Sequence, residues 1–478
     1  MNKEVIVLMK KLSELYDIKD DRVIKAIKIN SKEVTPGDIF VCTMGVTADR
    51  HDFIDEAIAA GASAIVVSKD VGKKSVPIIR VKDTNVELRK LCAKFYDYPY
   101  KKAYMIGVTG TNGKTTVAEI IYQLLGSSCA YIGTNGRKFK GKHFSMRNTT
   151  PDVDRLYPYF DEFLRAGCTT ICMEASSEAF FRHRLDDIKY DIAIMTNVTQ
   201  DHLNIHKTLD NYLDCKCQLF RQVKEDGFSI LNSSDQYYSL FRKNAKGKIV
   251  TYGLKETDTL YIKEFHVEKN KTMITMVYDH KTYHVVSPLL GNFNIMNLAA
   301  AILACLCYNK SFDDLIPVIS SLSQIEGRME VMPFTTQYMV ILDYAHTPDA
   351  LEKVLTYLNE IKKNKIITVT GSAGGREKEK RKDMGKIVLE KSDHVIFTMD
   401  DPRNEDCNTI IDDLIGDSKL NNYERIINRK EAIYQALKEA KPNDIVLIAG
   451  KGRDNYMAIG NDYQPYSDYE VIKSFYQE

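Results

Sequence analysis

A short buried strand that runs into a glycine-rich turn and then into a helix is the feature that most limits what this chain can fold into. It lies at Tyr104-Met-Ile-Gly-Val-Thr-Gly-Thr-Asn-Gly-Lys-Thr-Thr116. Tyr104 to Val108 is apolar, Gly110 and Gly113 permit a tight turn, and Val117-Ala-Glu-Ile-Ile-Tyr-Gln-Leu-Leu125 has helical apolar spacing. A helix N-terminus has unpaired N–H groups and a positive dipole end, so this turn suits nucleotide phosphates. Lys114 adds a point charge and Thr115 a hydroxyl for Mg²⁺. The candidate nucleotide-binding set is therefore Gly110, Thr111, Asn112, Gly113, Lys114, Thr115 and Thr116. A standard phosphate loop would have its first glycine at Val108, so the match is irregular.

The strand–turn–helix unit sits in a chain of 478 residues, which at about 150 residues per domain predicts roughly three domains. Lys plus Arg total 66 against 65 Asp plus Glu, so no general field draws the protein to nucleic acid or an anionic membrane. No apolar run approaches the roughly 20 residues of a membrane span, and the N-terminal Met-Asn-Lys-Glu-Val-Ile-Val-Leu-Met-Lys-Lys is too short in its apolar part for a secretory signal. A cytoplasmic protein is expected, without membrane insertion or nucleic-acid partner. The 10 cysteines show no C-x-x-C pairing, so buried reduced thiols are expected.

The predicted fold class is α/β in three domains, with boundaries at 1–101, 102–331 and 332–478. The first has a β-α-β rhythm through Asp38 to Cys42, a helix from Phe53 to Ala60 and a strand at Gly61 to Val67. The second begins with the phosphate-loop strand and adds apolar strands at Thr169 to Glu174 and Asp191 to Thr196, as a parallel sheet covered on both faces would. Alternation at Thr272 to Tyr278 and Tyr283 to Val286 predicts an antiparallel insertion, followed by a helix from Asn297 to Cys307. The third repeats strand and loop at Tyr338 to Asp343, Lys365 to Thr370, His394 to Phe397 and Ile445 to Ala449. Ligands of open α/β sheets bind beyond the carboxyl ends of strands, so this domain also carries a site. Past the second domain's strands stand Glu174 and the pair Asp201-His202, of which Glu174 with Thr115 suits Mg²⁺, an ion that takes few protein ligands, mostly oxygens.

On these residues the chain resembles the Mur ligase family, and within it the MurE branch, over all three regions. Asn30 to Phe40 and Asp49 to Phe53 are similar to the family's UDP-binding domain, which puts Ser31 at the nucleotide end of the substrate. Thr109 to Thr116 resembles the family's own phosphate-loop variant, in which Val108 is regular. The resemblance assigns Thr149, Thr150, Ser176 and Arg184 to the UDP-muramyl substrate, and Glu174 and His202 to metal and substrate segments. It assigns Asn294, Asn297, Arg328 and Asp343 to ATP. It implies an ADP-forming amide ligase using Mg²⁺ and ATP, in which a substrate carboxylate becomes an acyl phosphate that an amine then attacks. The implied partners are UDP-MurNAc-L-Ala-D-Glu, ATP and an amino acid, in a monomer serving peptidoglycan precursor synthesis. Lys216 by itself reads as a solvated helix residue. Between Tyr212 and Leu219-Phe220, however, it matches the lysine that the family carbamylates, which would ligate a second Mg²⁺.

The third region departs from the pattern of diaminopimelate-adding members. It has Asp400-Asp-Pro-Arg403 for Asp-Asn-Pro-Arg and Gly450-Lys-Gly-Arg-Asp454 for Gly-Lys-Gly-His-Glu. Arg376 and Arg403 can hold carboxylates. Asp401 adds a negative charge expected beside Arg403, and Asp454 is shorter than the glutamate it replaces. Asp400, Asp401, Arg403, Gly450, Asp454 and Arg376 are the candidate amino-acid set, with meso-diaminopimelate and L-lysine both open. Other readings are a folylpolyglutamate- or cyanophycin-type ligase, or a nucleotide-gated binding protein or NTPase that makes no amide.

Overall fold

Val108 is fully buried inside strand Tyr104–Thr109, and the chain leaves that strand only at Gly110. The strand needs no glycine at 108 because the turn has not begun. The computed structural model describes residues 8–44, 49–268 and 271–477. Residues 1–7 of the N-terminal stretch read above as too short for a secretory signal lie outside the described residues. Two compact units make up the chain, Met1–Ile106 with Ser127–Asp191 and Gly107–Gly126 with Ile192–Glu478.

In the first unit, strands Ile27–Lys28, Ile39–Val41, Ala64–Val67 and Ile78–Arg80 form a four-stranded parallel sheet in chain order. Phe40, Cys42, Ile65 and Val67 of this sheet pack on Ile54 and Ala57 of helix Ile54–Ala59. Helix Thr84–Phe95 starts where the Asp83 carboxylate accepts from the Asn85 and Val86 amides. Beyond it, Cys129–Gly133 runs parallel to Thr170–Glu174, and Gly136–Phe139 turns back antiparallel to Cys129–Gly133.

In the second unit, helices Lys114–Leu125 and Phe293–Cys307 pack together. Strand Val223–Asn232 pairs in parallel with Lys248–Gly253, which pairs in parallel with Leu260–Val267. Thr272–Tyr278 and Lys281–Ser287 then add antiparallel strands to the same edge. The expected antiparallel insertion is thus a continuation of the sheet: its alternating residues keep one face on the core and one on solvent. The helix expected from Asn297 begins earlier, at Phe293. Asn294 donates to the Leu290 carbonyl at 2.6 Å and Asn297 to Asn294 Oδ1 at 2.9 Å, so two buried amides are satisfied within the first turns and do not interrupt the helix.

The C-terminal sheet has the order Glu330–Val331, Met339–Asp343, Ile445–Ala449, Ile366–Thr370, His394–Phe397 and Tyr423–Arg425. All its pairings are parallel except the first. One face buries Leu351, Leu355, Met384 and Ile411, and the other buries Ile433, Ala436, Leu437 and Ile472, which is the two-sided covering that runs of Val and Ile require. Its loops at the strands' carboxyl ends carry the third-region motifs. All ten cysteines are free thiols. Among the described residues no helix is long and apolar enough to cross a membrane.

Candidate active site

Gly110 and Gly113 have φ of +147° and +86°, a region L side chains rarely adopt, and a Cβ on either would run into Thr196 or Asn297 respectively. The loop between them is pinned from below. Thr111 N donates to the Asn197 carbonyl at 2.7 Å, Asn112 N to Asn197 Oδ1 at 3.1 Å, and Thr196 Oγ1 to the Asn112 carbonyl at 2.6 Å. Lys114 Nζ lies across the loop, donating to the Gly110 and Thr111 carbonyls at 3.0 and 2.9 Å. Thr115 and Thr116 are buried in the first helical turn, and Arg328 Nη2 donates to Thr115 Oγ1 at 2.9 Å. Asn297 packs its carboxamide at Gly113, which puts the start of helix Phe293–Cys307 against the loop.

The segment after strand Tyr190–Met195 forms the next layer. His202 takes φ +58° at the start of the short helix Leu203–His206, with Nε2 3.4 Å from the Asp201 carboxylate. Burial, together with the nearby charges of Lys114, Lys216 and Arg376, lowers His202 to about 4 despite Asp201, so the ring is neutral at pH 7. Burial alone would raise Asp201, but His202 and Lys380 outweigh it and hold the carboxyl well below its usual range. With His202 neutral, the cation that matters at pH 7 is Lys380, 3.7 Å away. Lys216 comes from helix Leu209–Arg221, is 1% exposed, and donates to the Gly110 carbonyl at 2.7 Å while lying 4.4 Å above the Tyr212 ring. Burial and the Lys114 charge push its amine well below the ordinary lysine value. The solvated-residue reading of Lys216 is therefore corrected: apolar residues on both sides of it turn this face of the helix inward.

The C-terminal loops of the same unit reach this layer. Asn112 Nδ2 donates to Asp349 at 2.8 Å, and Glu377 accepts from the Leu203 amide and, at 3.3 Å, from the Asn204 amide. Arg376, next to Glu377, is exposed. Asp343 is buried, with its oxygens accepting from Met329 N at 2.6 Å and Ala345 N at 2.7 Å, and burial raises its carboxyl. Gly450 follows its strand at φ +115°, where a Cβ would meet the Asp400 carboxylate. The loops 373–375 and 401–405 interlock through Gly374 N to the Asp401 carbonyl (3.0 Å), Gly375 N to Glu405 (2.6 Å) and Arg403 Nη1 to the Gly374 carbonyl (2.6 Å). One expectation changes here. The Asp401 carboxylate is not beside Arg403 but accepts from Lys451 Nζ at 2.8 Å and Ala458 N at 2.9 Å. Asp454 is half-buried, and its carboxyl is pushed up to about 7 by desolvation and by Asp401 and Asp400, with Lys451 opposing.

The first unit gathers a second set. Glu174, at the end of its strand, accepts from Tyr131 Oη at 2.9 Å and Thr134 N at 2.7 Å. Thr150 Oγ1 donates to the Glu174 carbonyl at 2.8 Å and lies 3.1 Å from Ser176 Oγ, while Thr149 Oγ1 is 3.0 Å from Thr134 Oγ1. Arg184 bonds the Thr150 carbonyl at 3.1 Å and Asp152 at 2.6 Å. Ser31 is buried in its own turn, Ser31–Glu33, apart from this set, and the neighbouring Glu33 pairs with Arg155. Sequence reasoning missed Thr134, Glu377, Lys380 and Lys451. Each is a polar residue on a loop or exposed-looking helix whose partner is distant in sequence, and only the C-terminal Gly-Lys-Gly pattern hinted at Lys451.

Three family models match the chain: Mur ligase family, catalytic domain, over residues 23–99; Mur ligase middle domain over 108–305; and Mur ligase, glutamate ligase domain, over 327–452. A UDP-N-acetylmuramoyl-L-alanyl-D-glutamate--2,6-diaminopimelate ligase of Bacillus cereus is 37% identical over 464 residues, 95% of this chain and 94% of its own. A solved structure of an enzyme with that same name superposes with a TM-score of 0.67 at 29% identity, covering 98% of both chains. A crystal structure of MurF from Acinetobacter baumannii gives a TM-score of 0.72 at 18% identity over 98% of this chain and 99% of its own, a likeness of fold alone.

Proposed function

The chain belongs to the Mur ligase family, and on that premise we propose that it joins meso-diaminopimelate to UDP-MurNAc-L-Ala-D-Glu in cytoplasmic peptidoglycan precursor synthesis. It is an ATP-dependent, ADP-forming amide ligase. Matches over 23–99, 108–305 and 327–452 support a UDP-substrate domain at 1–101, an ATP domain at 102–331 and an amino-acid domain at 332–478.

A carboxylate is a poor electrophile at neutral pH, and transfer of the γ-phosphoryl group to it supplies a leaving group. The carboxylate oxygen forms the new P–O bond as the bond to ADP breaks. The incoming amine then attacks the carbonyl carbon, loses a proton and expels phosphate. The chain's own part is positioning and charge neutralisation. The amides of Gly110 to Thr116 and Lys114 Nζ hold the phosphates, for which Lys114 exchanges its loop carbonyls. Arg328 lies between Thr115 and the Tyr344 ring, 4.5 Å from the ring centroid, and adds a second cation at that helix start. Asn294, Asn297 and Asp343 hold the segments around the nucleotide. Ser31, Thr149, Thr150, Ser176 and Arg184 are assigned to the UDP-muramyl dipeptide.

Mg²⁺ would neutralise phosphate charge and orient the transferring group. The hard oxygens of Thr115 and Glu174 suit it, whereas the neutral His202 nitrogen is a weaker match. An unmodified Lys216 is no ligand for Mg²⁺. The neutral amine, however, is the form that adds CO₂, burial shifts Lys216 toward it, and the carbamate would be an oxygen donor, which supports carbamylated Lys216.

For the amino acid, the supporting observation is that Asp401 spends its charge on Lys451, which leaves the Arg403 guanidinium without a carboxylate partner among the described residues. An arginine in that state favours a substrate with a distal carboxylate. Asp454 and the Gly450 loop are assigned to the amine end. The observation that carries the ligase reading over a plain NTPase is the meeting of the phosphate loop, Asp201-His202 and Lys216 with the C-terminal loops in one unit. The proposed unit of activity is the monomer. The test is ADP release with UDP-MurNAc-L-Ala-D-Glu and either meso-diaminopimelate or L-lysine, with the product identified by mass. Release that requires both substrates, and a diaminopimelate adduct, is expected. ATP hydrolysis indifferent to either substrate overturns the reading.

A further inference from the structure

Lys451 is the one lysine among the described residues that is almost fully buried amid three carboxylates. Its Nζ is 2.8 Å from Asp401, 3.7 Å from Asp454 and 4.0 Å from Asp400, with 1% of its side chain exposed. The loop it anchors is held in an uncommon backbone state. Asp401 and Arg403 are non-glycine residues at φ +45° and +51°, which costs about 1–3 kcal/mol each unless the surroundings hold them.

The surroundings do so from one side. Hairpin strands Tyr456–Ile459 and Asp462–Pro465 strap the loop: Arg403 N donates to the Ala458 carbonyl at 3.0 Å, Gly460 N to the Arg403 carbonyl at 2.9 Å, and Ala458 N to Asp401 at 2.9 Å. Lys451 Nζ also lies 5.0 Å over the hairpin's Tyr456 ring. The lysine therefore touches both loop and strap. Its ammonium fixes where the Asp401 charge goes, and the strap fixes where Arg403 points.

We propose that Lys451 is a specificity-positioning residue: it draws Asp401 away from Arg403, so that the guanidinium stays available to read the distal carboxylate of the incoming diamino acid. This rests on the assignment of 400–403 to the amino-acid site. Without the Lys451 ammonium, the nearest cation on the same loop for Asp401 is Arg403, and an Asp401–Arg403 pair competes with the substrate carboxylate. Lysine, which has no distal carboxylate, loses less from that competition.

The test measures kcat/KM for meso-diaminopimelate and L-lysine in wild type, Lys451→Met and Lys451→Met/Asp401→Asn. Lys451→Met is expected to lower the diaminopimelate-to-lysine ratio about tenfold or more, with the KM for ATP within about twofold of wild type. The double variant is expected to return the ratio to within about threefold of wild type, because the competing carboxylate is gone. An unchanged ratio in Lys451→Met assigns the lysine to charge compensation for folding only and overturns the proposal. A ratio that stays low in the double variant overturns it too, by placing Lys451 itself on the substrate. If Lys451→Met does not fold, Lys451→Gln, which keeps a donor to Asp401 but removes the charge, takes its place: a lowered ratio is expected and an unchanged one overturns the proposal. Arg403→Ala is the separate control: equal losses for both amino acids, or none, remove 403 from the site whatever Lys451 does.

Discussion

Lys216 and Lys114 belong to one residue type and are assigned different tasks because their surroundings differ. Lys114 is half-buried at the start of its helix and is assigned to the phosphates, whereas Lys216 is enclosed and driven toward the neutral amine. Lys114→Ala is expected to lower ATP turnover more than about a hundredfold with the fold intact by circular dichroism; turnover near wild type removes the phosphate-loop assignment. Lys216→Ala is expected to be similarly inactive but partly restored by acetate or another short carboxylic acid, which would return an oxygen donor to the vacated space. An active, unrescued variant refutes carbamylation. At Asp454 the sign can be worked through. Its folded value near 7 means that the carboxylate form, which an ammonium needs, forms only as pH rises through 7. The kcat/KM for the amino acid is expected to fall on the acid side of pH 7, and Asp454→Asn to lower it and flatten that limb. A limb of unchanged position in the variant belongs to another group.

The phosphate-loop turn and the helix from Phe293 are elements that need each other. Gly113 at φ +86° leaves no room for a Cβ beside the Asn297 carboxamide, so Gly113→Ala combines backbone strain with a displaced amide. It is expected to destabilise the protein by about 1–3 kcal/mol in chemical denaturation and to raise the KM for ATP. Loss of ATP affinity without loss of stability would mean that the loop adapts at no cost to the fold. The glycines, the lysine and the strand before them were legible because their spacing is local. The early start of the helix was not, because Asn294 and Asn297 look like polar interruptions until their partners, the Leu290 carbonyl and each other, are seen. The same holds for the antiparallel strands after residue 260, whose alternation was plain but whose attachment to a parallel edge depends on which strand lies beside them.

At the scale of the whole molecule, two half-buried histidines shape acid stability: His202, and His346, which follows strand Met339–Asp343 with Nδ1 2.7 Å from the Tyr344 carbonyl. His202 and His346 are lowered by burial to about 4 and about 3, below the unfolded value of 6.5. Between those values the unfolded chain binds more protons than the folded one, so stability falls as pH drops from 6.5 toward 4. Asp454 acts in the opposite sense from about 3.8 to 7, because there the folded state holds the extra proton. His346→Gln, if it folds, is expected to reduce proton uptake on unfolding at pH 5 by about one, measured from the pH dependence of the denaturation midpoint; an unchanged slope would place the histidine in contact with water. By itself the sequence determined the elements, the three α/β regions and the strand–turn–helix unit assigned to the nucleotide, because hydrophobic period, glycine spacing and a lysine at a helix start are short-range signals. Only the tertiary structure decided where charge goes: that burial disfavours the Lys216 ammonium, that Lys380 stands beside Asp201, and that Asp401 answers to Lys451 and leaves Arg403 alone. Electrostatic partners are chosen by proximity in space and by the exclusion of water, and neither is written in the order of residues along the chain.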